Sequence, residues 1–257
     1  MTAVGAKESD MAHSTGDDGV AILTVGDGER FNALSSRQWR ALEDSARSLA
    51  ENSAIRAVVV RGTGSTFCSG SDLREWQDAG SADVNGSFAV IEAALQAIEA
   101  IPVPTVALVQ GVATGAGCQL ALACDLQVLE SSARIGMPIA RLGLLIPPSF
   151  ANRMSLRIGP SRAKDLLYGG RLLTAAEALA MGLVTTVVPA GLGAKEVAQL
   201  TETWRPLSQA SLRASKAAVN LGLAPVEVAG RTLPQGAAAD PEEFSHRVRH
   251  FLRRKHP

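Results

Sequence analysis

Three small residues, Gly115, Ala116 and Gly117, stand directly before an apolar run that predicts a buried helix. Glycine at a helix start lets a ligand approach the free backbone N–H groups closely, which predicts a site for an anion or a carbonyl oxygen. Gln119 follows inside the helix, and its amide can donate and accept hydrogen bonds but cannot take up a proton. Gln119 can therefore orient a ligand, or be a satisfied polar residue of the core, but it cannot act as a base.

A second glycine-containing stretch, FCSGSDL at residues 67–73, follows a predicted strand and precedes a predicted helix. Gly70, Ser71 and Asp72 lie at its turn. Taken alone, this stretch is explained as a strand-to-helix connection that Asp72 caps. The small residues 115–117 are equally explained, taken alone, by close packing of a helix on a strand.

The segments that carry these two turns alternate between strand and helix patterns. Ser35 with Gln38 forms a capping-box pattern before a helix. Strands alternating with helices indicate an α/β core. The predicted strands are GVAILTV (19–25), AIRAVVVRG (54–62) and TVALVQG (105–111), and ALACDLQVL (121–129) is predicted to join a helix to a further strand. The apolar residues with helical spacing are Trp39, Leu42, Ala46 and Leu49, and then Phe88, Ile91, Leu95 and Ile98.

The chain divides into three predicted regions. Residues 1–17 are polar and are expected to be a disordered leader, and residues 18–190 form the α/β core. Beyond residue 147 the strand signal nearly vanishes, so we expect residues 191–257 to be helical. Two helix starts lie beyond residue 147, a Thr174/Glu177 capping box within the core and the sequence Asp-Pro-Glu-Glu at 240–243 in the helical region.

Bulk composition excludes several classes of function. Lys+Arg and Asp+Glu balance at 25 each, so no overall field attracts nucleic acid or an anionic membrane. The basic stretch 246–256 has one aromatic residue, Phe251, which is no stacking platform for bases, and its basic residues favour a helix C-terminus instead. No apolar run is long enough for a membrane span, and no signal peptide is recognised. Three cysteines and four histidines are too few and too poorly spaced for a metal site, and the cysteines suggest a reducing, cytoplasmic location.

Considered together, the two glycine stretches are much more specific than either alone. FCSGSDL (67–73) and VQGVATGAGCQLALACDL (109–126) resemble the paired signatures of the crotonase, or enoyl-CoA hydratase/isomerase, superfamily. The likeness continues in ERFNALS (29–35), in LTAAEALAMGLVTTVVP (173–189) and in the terminal FSHRVRHFLRRKHP. It spans nearly the whole chain, from about Gly19 to Pro257.

The resemblance implies a fold, an assembly and a substrate. The fold is α/β, a spiral of ββα units followed by a C-terminal helical region that builds a homotrimer or a dimer of trimers. The substrate is an acyl thioester of coenzyme A, so coenzyme A enters as part of the substrate and no cofactor is bound permanently.

The resemblance also implies which residues would bind that substrate. The backbone N–H groups of Ser71 and Ala116 would form an oxyanion hole, where two donors stabilise the enolate of the thioester. Because backbone groups do this, the side chains at 71 and 116 are free to vary, and Ala116 stands where the family usually has glycine. The coenzyme A moiety would lie along Arg30, Phe31 and Ala33 and along Ser69, Gly70, Asp72 and Leu73. Arg30 is a candidate phosphate contact.

The sequence departs from the family pattern at both acid–base positions. Hydratases of this family use two glutamates to move the protons of water, and these positions correspond to Gln119 and Ile139 here. Each acid–base group typically contributes about 10²–10⁴ in rate, so we expect hydration to fall to a trace. The four histidines lie in the expected leader and tail, which makes a histidine base improbable. Asp72 and Glu75 are expected to cap or solvate their helix.

Arg141 suggests one alternative chemistry. It lies two residues after Ile139 and is either a surface arginine or a partner for a substrate carboxylate, which its guanidinium group would fit. Family members that decarboxylate malonyl-type esters generate the enolate without a base. The alternatives to an ordinary hydratase are therefore a decarboxylase, another enzyme acting through the enolate, and an inactive protein that binds acyl-CoA.

Overall fold

The computed structural model of the chain describes residues 13–16, 18–77, 81–232 and 243–254. The strands are β1 (His13–Thr15), β2 (Val20–Val25), β3 (Ala57–Gly62), β4 (Thr105–Val109), β5 (Val112–Thr114), β6 (Leu126–Glu130), β7 (Arg134–Gly136), β8 (Leu173–Thr174) and β9 (Thr186–Val188). The helices are α1 (Ser36–Glu51), α2 (Ser81–Glu99), α3 (Ala116–Ala123), α4 (Pro148–Ile158), α5 (Pro160–Gly169), α6 (Ala175–Met181), α7 (Gly193–Trp204), α8 (Gln209–Thr232) and α9 (Phe244–Arg254).

The larger sheet has the strand order β1-β2-β3-β4-β6-β9 and is parallel except at β1. Its central strands are buried on both faces, as parallel sheets usually are. In β3, Val58 and Val60 pack into the main core while Val59 packs into a smaller cluster on the other face. Three strands predicted from the sequence are confirmed as β2, β3 and β4, which end within a few residues of the predicted limits, and the strand predicted at the end of 121–129 is confirmed as β6.

Both predicted capping boxes are confirmed. The Ser35 hydroxyl oxygen accepts a hydrogen bond from the backbone N–H of Gln38. In return, the side-chain oxygen of Gln38 accepts from the backbone N–H of Ser35 at 2.9 Å. The Thr174 hydroxyl and the Glu177 carboxylate make the same pair of bonds at the start of α6. The predicted apolar face of α1 is also confirmed, since all four of its residues are buried.

The smaller sheet has the order β5-β7-β8, and it stands beside the larger one. β8 and β9 were not predicted, because strands of two or three residues are too short to show a period of two. β5 leads directly into the turn before α3, so the smaller sheet positions one of the two candidate backbone sites.

Part of the expected disordered leader is an ordered strand. His13–Thr15 forms β1, which pairs antiparallel with Ala21–Leu23 of β2. This corrects the prediction for those residues, and the reason is that β1 is fixed by backbone pairing and not by an apolar pattern. Residues 1–12 and 17 lie outside the described residues, and so does most of the predicted helix start at 240–243.

After β9 the described residues are helical, and α9 returns to the core. Phe244 and Val248 of α9 are buried, and the helix contacts two 3-10 turns, Leu73–Trp76 and Ile139–Leu142. Because the first turn directly follows Asp72 and the second begins with Ile139, α9 packs against two segments that carry candidate site residues. Within the described parts of the chain, no helix is long and apolar enough to cross a membrane.

Candidate functional site

The Ser71 amide is directed away from the neighbouring chain segment. Leu34 N donates to Gly70 O at 2.8 Å, and Asp72 N donates to Leu34 O at 2.9 Å. Leu34 thus bonds to the residues on either side of Ser71, as in a parallel bridge. The N–H of Ser71 points the other way, and among the described residues no acceptor takes it.

Gly70 brings this segment against the start of α3. Its φ of 97° lies in a region that only glycine adopts readily. A Cβ atom at Gly70 would lie 2.8 Å from Thr114 O and 3.1 Å from Ala116 N. The absence of a side chain therefore allows the backbone of the two candidate segments to touch.

Ala116 opens α3, and its N–H has no acceptor among the residues that the structure describes. This is expected of the first turn of a helix, whose N–H groups lack partners inside the helix. Gly115 precedes it with a φ of 58°, and Gly115 N donates to Gly136 O at 3.0 Å. The turn is fixed by the smaller sheet while the Ala116 amide stays available.

The loop before α1 has an unusual backbone. Arg30, Phe31 and Asn32 are left-handed in succession, with φ of 47°, 56° and 56°, a conformation that costs energy for residues other than glycine. Asn32 is fully buried, and its Nδ2 donates to Thr63 O at 2.9 Å and to Thr66 O at 2.6 Å. The buried amide holds the loop beside the end of β3. The sequence did not reveal this role of Asn32.

The segments that carry the predicted coenzyme A contacts are hydrogen-bonded to each other. Ser69 N donates to Phe31 O at 2.9 Å and Ser69 Oγ donates to Arg30 O at 3.1 Å, so residues 30–33 lie beside residues 69–73. The Phe31 side chain is 57% exposed, whereas Ala33 is buried. An exposed aromatic residue beside these segments is well suited to contact a ligand.

Asp72 is held by arginines on both sides. Arg74 Nη2 lies 2.8 Å and Arg30 Nε 3.6 Å from the Asp72 carboxylate. Burial alone would raise the pKa of Asp72, but hydrogen bonds from Arg74 and the charges of Arg74 and Arg30 lower it overall. Asp72 caps the turn Leu73–Trp76, as predicted. Glu75 accepts from Ser36 N at 2.9 Å, at the start of α1.

Gln119 is fully buried, and both ends of its amide are used inside the protein. Its Nε2 donates to Phe150 O at 3.3 Å, and its Oε1 accepts from Arg153 Nη1 at 3.1 Å. These contacts agree with the interpretation of Gln119 as a polar core residue whose hydrogen-bond partners lie inside the protein. Its two bonds join α3 to α4.

Arg153 was not singled out from the sequence, yet it is the centre of a buried polar network. Its guanidinium lies 2.6 Å from Glu99 and 3.2 Å from Glu92, both on α2. The Ser149 hydroxyl donates to Glu92 at 3.1 Å. The signal in the sequence was two glutamates spaced by two helical turns among apolar residues of α2, a pattern that favours a cation to pair with them.

Ile139 and Arg141 lie on one 3-10 turn but differ in exposure. Ile139 is buried, and its apolar side chain cannot transfer a proton. Arg141 is exposed, and its side chain lies against Gly170, since a Cβ atom there would be 3.3 Å from Arg141 Cγ. His246 and His250 are exposed on α9. The thiol of Cys68, next to the site, has its pKa raised by burial to about 12, so it stays protonated.

The structure also has a cavity of about 900 Å³, but it lies elsewhere. It is found at the C-terminal end of α3, between α2, α4 and α8, with Leu122, Arg157 and Lys216 in its wall. None of the predicted site residues lines this cavity. Within the described residues, no group of three or more His, Cys, Asp or Glu side chains is placed to hold a metal ion.

The fold and the paired backbone donors define an α/β protein of a type found in many solved structures. The enoyl-CoA hydratase/isomerase family model matches residues 15–250. "Probable enoyl-CoA hydratase echA8" of Mycobacterium bovis is 34% identical over 204 residues, which cover 79% of each chain. Mitochondrial methylglutaconyl-CoA hydratase of Mus musculus is 28% identical over 239 residues, 91% of this chain and 76% of its own.

Solved structures agree. An enoyl-CoA hydratase/isomerase from Pseudoalteromonas atlantica T6c has a TM-score of 0.83 and 28% identity, covering 97% of this chain and 99% of its own. An enoyl-CoA hydratase from Bacillus anthracis has a TM-score of 0.80 and 26% identity, covering 87% and 90%. The chain therefore belongs to the enoyl-CoA hydratase/isomerase family, the crotonase superfamily, and the predicted fold class is confirmed.

Proposed function

We propose that this protein binds an acyl-CoA thioester with the carbonyl oxygen between the N–H groups of Ser71 and Ala116, and stabilises the enolate without a pair of catalytic glutamates. The observation that carries the proposal is that these two amides, in segments that touch at Gly70, have no acceptor among the described residues. Two fixed donors beside each other, left unused by the fold, are suited to one shared acceptor.

The physical basis is electrostatic. When an enolate forms, negative charge moves onto the thioester oxygen, and donors already in place stabilise it without having to reorganise. Removal of one such donor typically costs about 10²–10³ in rate. The proximity of residues 30–33 to residues 69–73, with Arg30 and Phe31 exposed, supports binding of the coenzyme A moiety beside the two donors.

Proton transfer distinguishes this protein from a two-glutamate hydratase. Gln119 is neutral and is bonded to Phe150 and Arg153, and Ile139 is apolar and buried. Neither position can activate water, so we expect hydration of enoyl-CoA at a trace level only. Reactions that produce the enolate without a base at these positions remain open, and loss of CO₂ from a malonyl-type ester is one of them.

A second candidate function is binding of acyl-CoA without turnover. The engaged amide of Gln119 favours it, because a residue tied into the core on both sides is not free to serve a substrate. In that case the two backbone donors would bind the thioester oxygen but would not serve a reaction.

We also propose that the protein assembles as a homotrimer or a dimer of trimers. Large apolar side chains on α5 and α8 support contacts between subunits, since monomers seldom expose many such residues. Tyr168 is 79% exposed, Val219 64% and Leu221 75%.

The experiment is a mass-resolved panel in D₂O. The protein is incubated with saturated, unsaturated, malonyl- and methylmalonyl-CoA esters, and the masses of all products are followed while affinity is measured by calorimetry. We expect tight binding of thioesters, with α-deuterium uptake or loss of CO₂ for part of the panel and almost no water addition to crotonyl-CoA. Binding without any mass change would support the second candidate. Failure of every ester to bind would overturn both.

A further inference from the structure

The side chain of Ser71 has a feature that the family pattern does not explain. Its Oγ atom is buried, and among the described residues it has no hydrogen-bond partner. The residue as a whole is partly exposed, so the hydroxyl faces inward at a residue whose N–H is also without an acceptor. Ser71 thus holds two unused donors.

Buried hydroxyl groups almost always find partners, and an orphaned one in a native fold calls for a reason such as a role in binding. An unpaired hydroxyl destabilises the free protein. A ligand that offers an acceptor removes this cost, and its binding free energy becomes more favourable by the same amount. Serine places its oxygen in three staggered positions, and one rotation about χ1 moves the hydroxyl without moving the backbone.

We infer that the Ser71 hydroxyl is a third donor to the thioester oxygen, and that it rotates from its inward position onto that oxygen when acyl-CoA binds. This inference rests on the proposed function. It also revises the expectation that the side chain at position 71 is free to vary. A role as nucleophile is disfavoured, because a serine nucleophile needs a base within hydrogen-bond reach and Oγ contacts none.

If the Ser71 hydroxyl is a third donor, its removal should weaken thioester binding without lowering the stability of the free protein. Ser71→Ala keeps the backbone N–H and removes a hydroxyl that the free protein leaves unpaired. The thermal midpoint of the free variant should therefore stay equal or rise, while affinity for the thioester falls. Ser149→Ala is the matched control, because the buried Ser149 hydroxyl has a partner in Glu92. That variant should lose thermal stability and keep its preference for thioesters.

The test compares an acyl-CoA thioester with the thioether analogue in which CH₂ replaces the carbonyl group. Calorimetry gives the affinity ratio between the two for each protein. The wild type should prefer the thioester, and Ser71→Ala should reduce that preference about 3- to 10-fold, as loss of one hydrogen bond implies. The infrared band of a ¹³C-labelled thioester carbonyl should shift less on binding to Ser71→Ala than to the wild type.

The outcomes separate the inference from the function on which it rests. If the wild type binds thioester and thioether equally, the proposed oxyanion site is wrong. If the wild type prefers the thioester and Ser71→Ala has the same preference and the same carbonyl band, the third donor is refuted while the two backbone donors stand.

Discussion

Arg153 donates to the amide oxygen of Gln119 across 3.1 Å, in the interior between α3 and α4. The same guanidinium pairs with Glu92 and Glu99. One arginine thus meets two carboxylates and one neutral oxygen acceptor. The neutral residue at position 119 is therefore part of a polar network in the interior, and its amide belongs to the core as much as to the site.

Replacing Gln119 by glutamate should fail to restore hydration. The carboxylate would stand beside the Arg153 guanidinium, which would lower its pKa and keep it ionised and paired. A third carboxylate around Arg153 also adds repulsion from Glu92 and Glu99. We expect water addition to crotonyl-CoA to remain at the wild-type trace level and the thermal midpoint at pH 7 to fall.

The matched control is the double variant Gln119→Glu with Ile139→Glu, which supplies both carboxylates of the family pattern. A rise of about 10² or more in hydration by the single variant would contradict the prediction, because it would show position 119 free to act on water.

Removal of Arg153 should be strongly destabilising. Arg153→Met removes the cation that pairs with the partly buried Glu92 and Glu99 and takes away the donor to Gln119, which should cost about 1–3 kcal/mol of unfolding free energy. Arg205→Met provides the comparison, since Arg205 pairs with Glu202 on the surface with both side chains about two-thirds exposed. The loss of unfolding free energy in Arg205→Met should be below about 1 kcal/mol. Urea denaturation measures both, and equal losses would rule out a structural role for the network.

Gly70 should not tolerate a side chain. Gly70→Ala requires a positive φ from alanine, at a typical cost of about 1–3 kcal/mol, and pushes its Cβ toward Thr114 and Ala116. We expect lower stability and loss of the preference for thioester over thioether. Gly86→Ala, in the open on α2, should instead stabilise by about 0.5–1 kcal/mol and leave binding intact. Wild-type thioester preference in Gly70→Ala would contradict the proposed contact.

The charge of Asp72 should contribute to stability in a defined pH range. Its folded pKa is lowered by Arg74 and Arg30 in spite of burial, so its contribution is complete above the unfolded value of about 3.9 and is lost as pH falls through the folded value. Asp72→Asn keeps a side-chain acceptor for the cap but removes the charge. Denaturation at a series of pH values should show the wild type more stable at pH 7 and the difference closing below about pH 4. A difference independent of pH would show that the charge is irrelevant.

The sequence predicted the features that depend on local pattern. Strands β2, β3 and β4 are apolar and β-branched, and the boxes at Ser35 and Thr174 are short motifs with fixed spacing. The two candidate turns were located for the same reason, since glycine beside a helix start is a local signal. These features need no knowledge of which distant residues meet.

Features that depend on distant contacts were not predicted. β1 exists because its backbone pairs with β2, and β8 and β9 are too short to show a pattern. The Arg153 network joins three helices, and Asn32 bonds to carbonyl groups beyond the next strand. In each case the structure depends on which distant residue or strand makes the contact, and a single sequence does not show which one that is.

The most direct measurement is a crystal structure of the protein with a bound acyl-CoA thioester. We expect the thioester oxygen to lie about 2.7–3.2 Å from both Ser71 N and Ala116 N, as N–H donors require. An oxygen bound elsewhere, or either amide donating to a carbonyl of the protein in the complex, would contradict the proposed site.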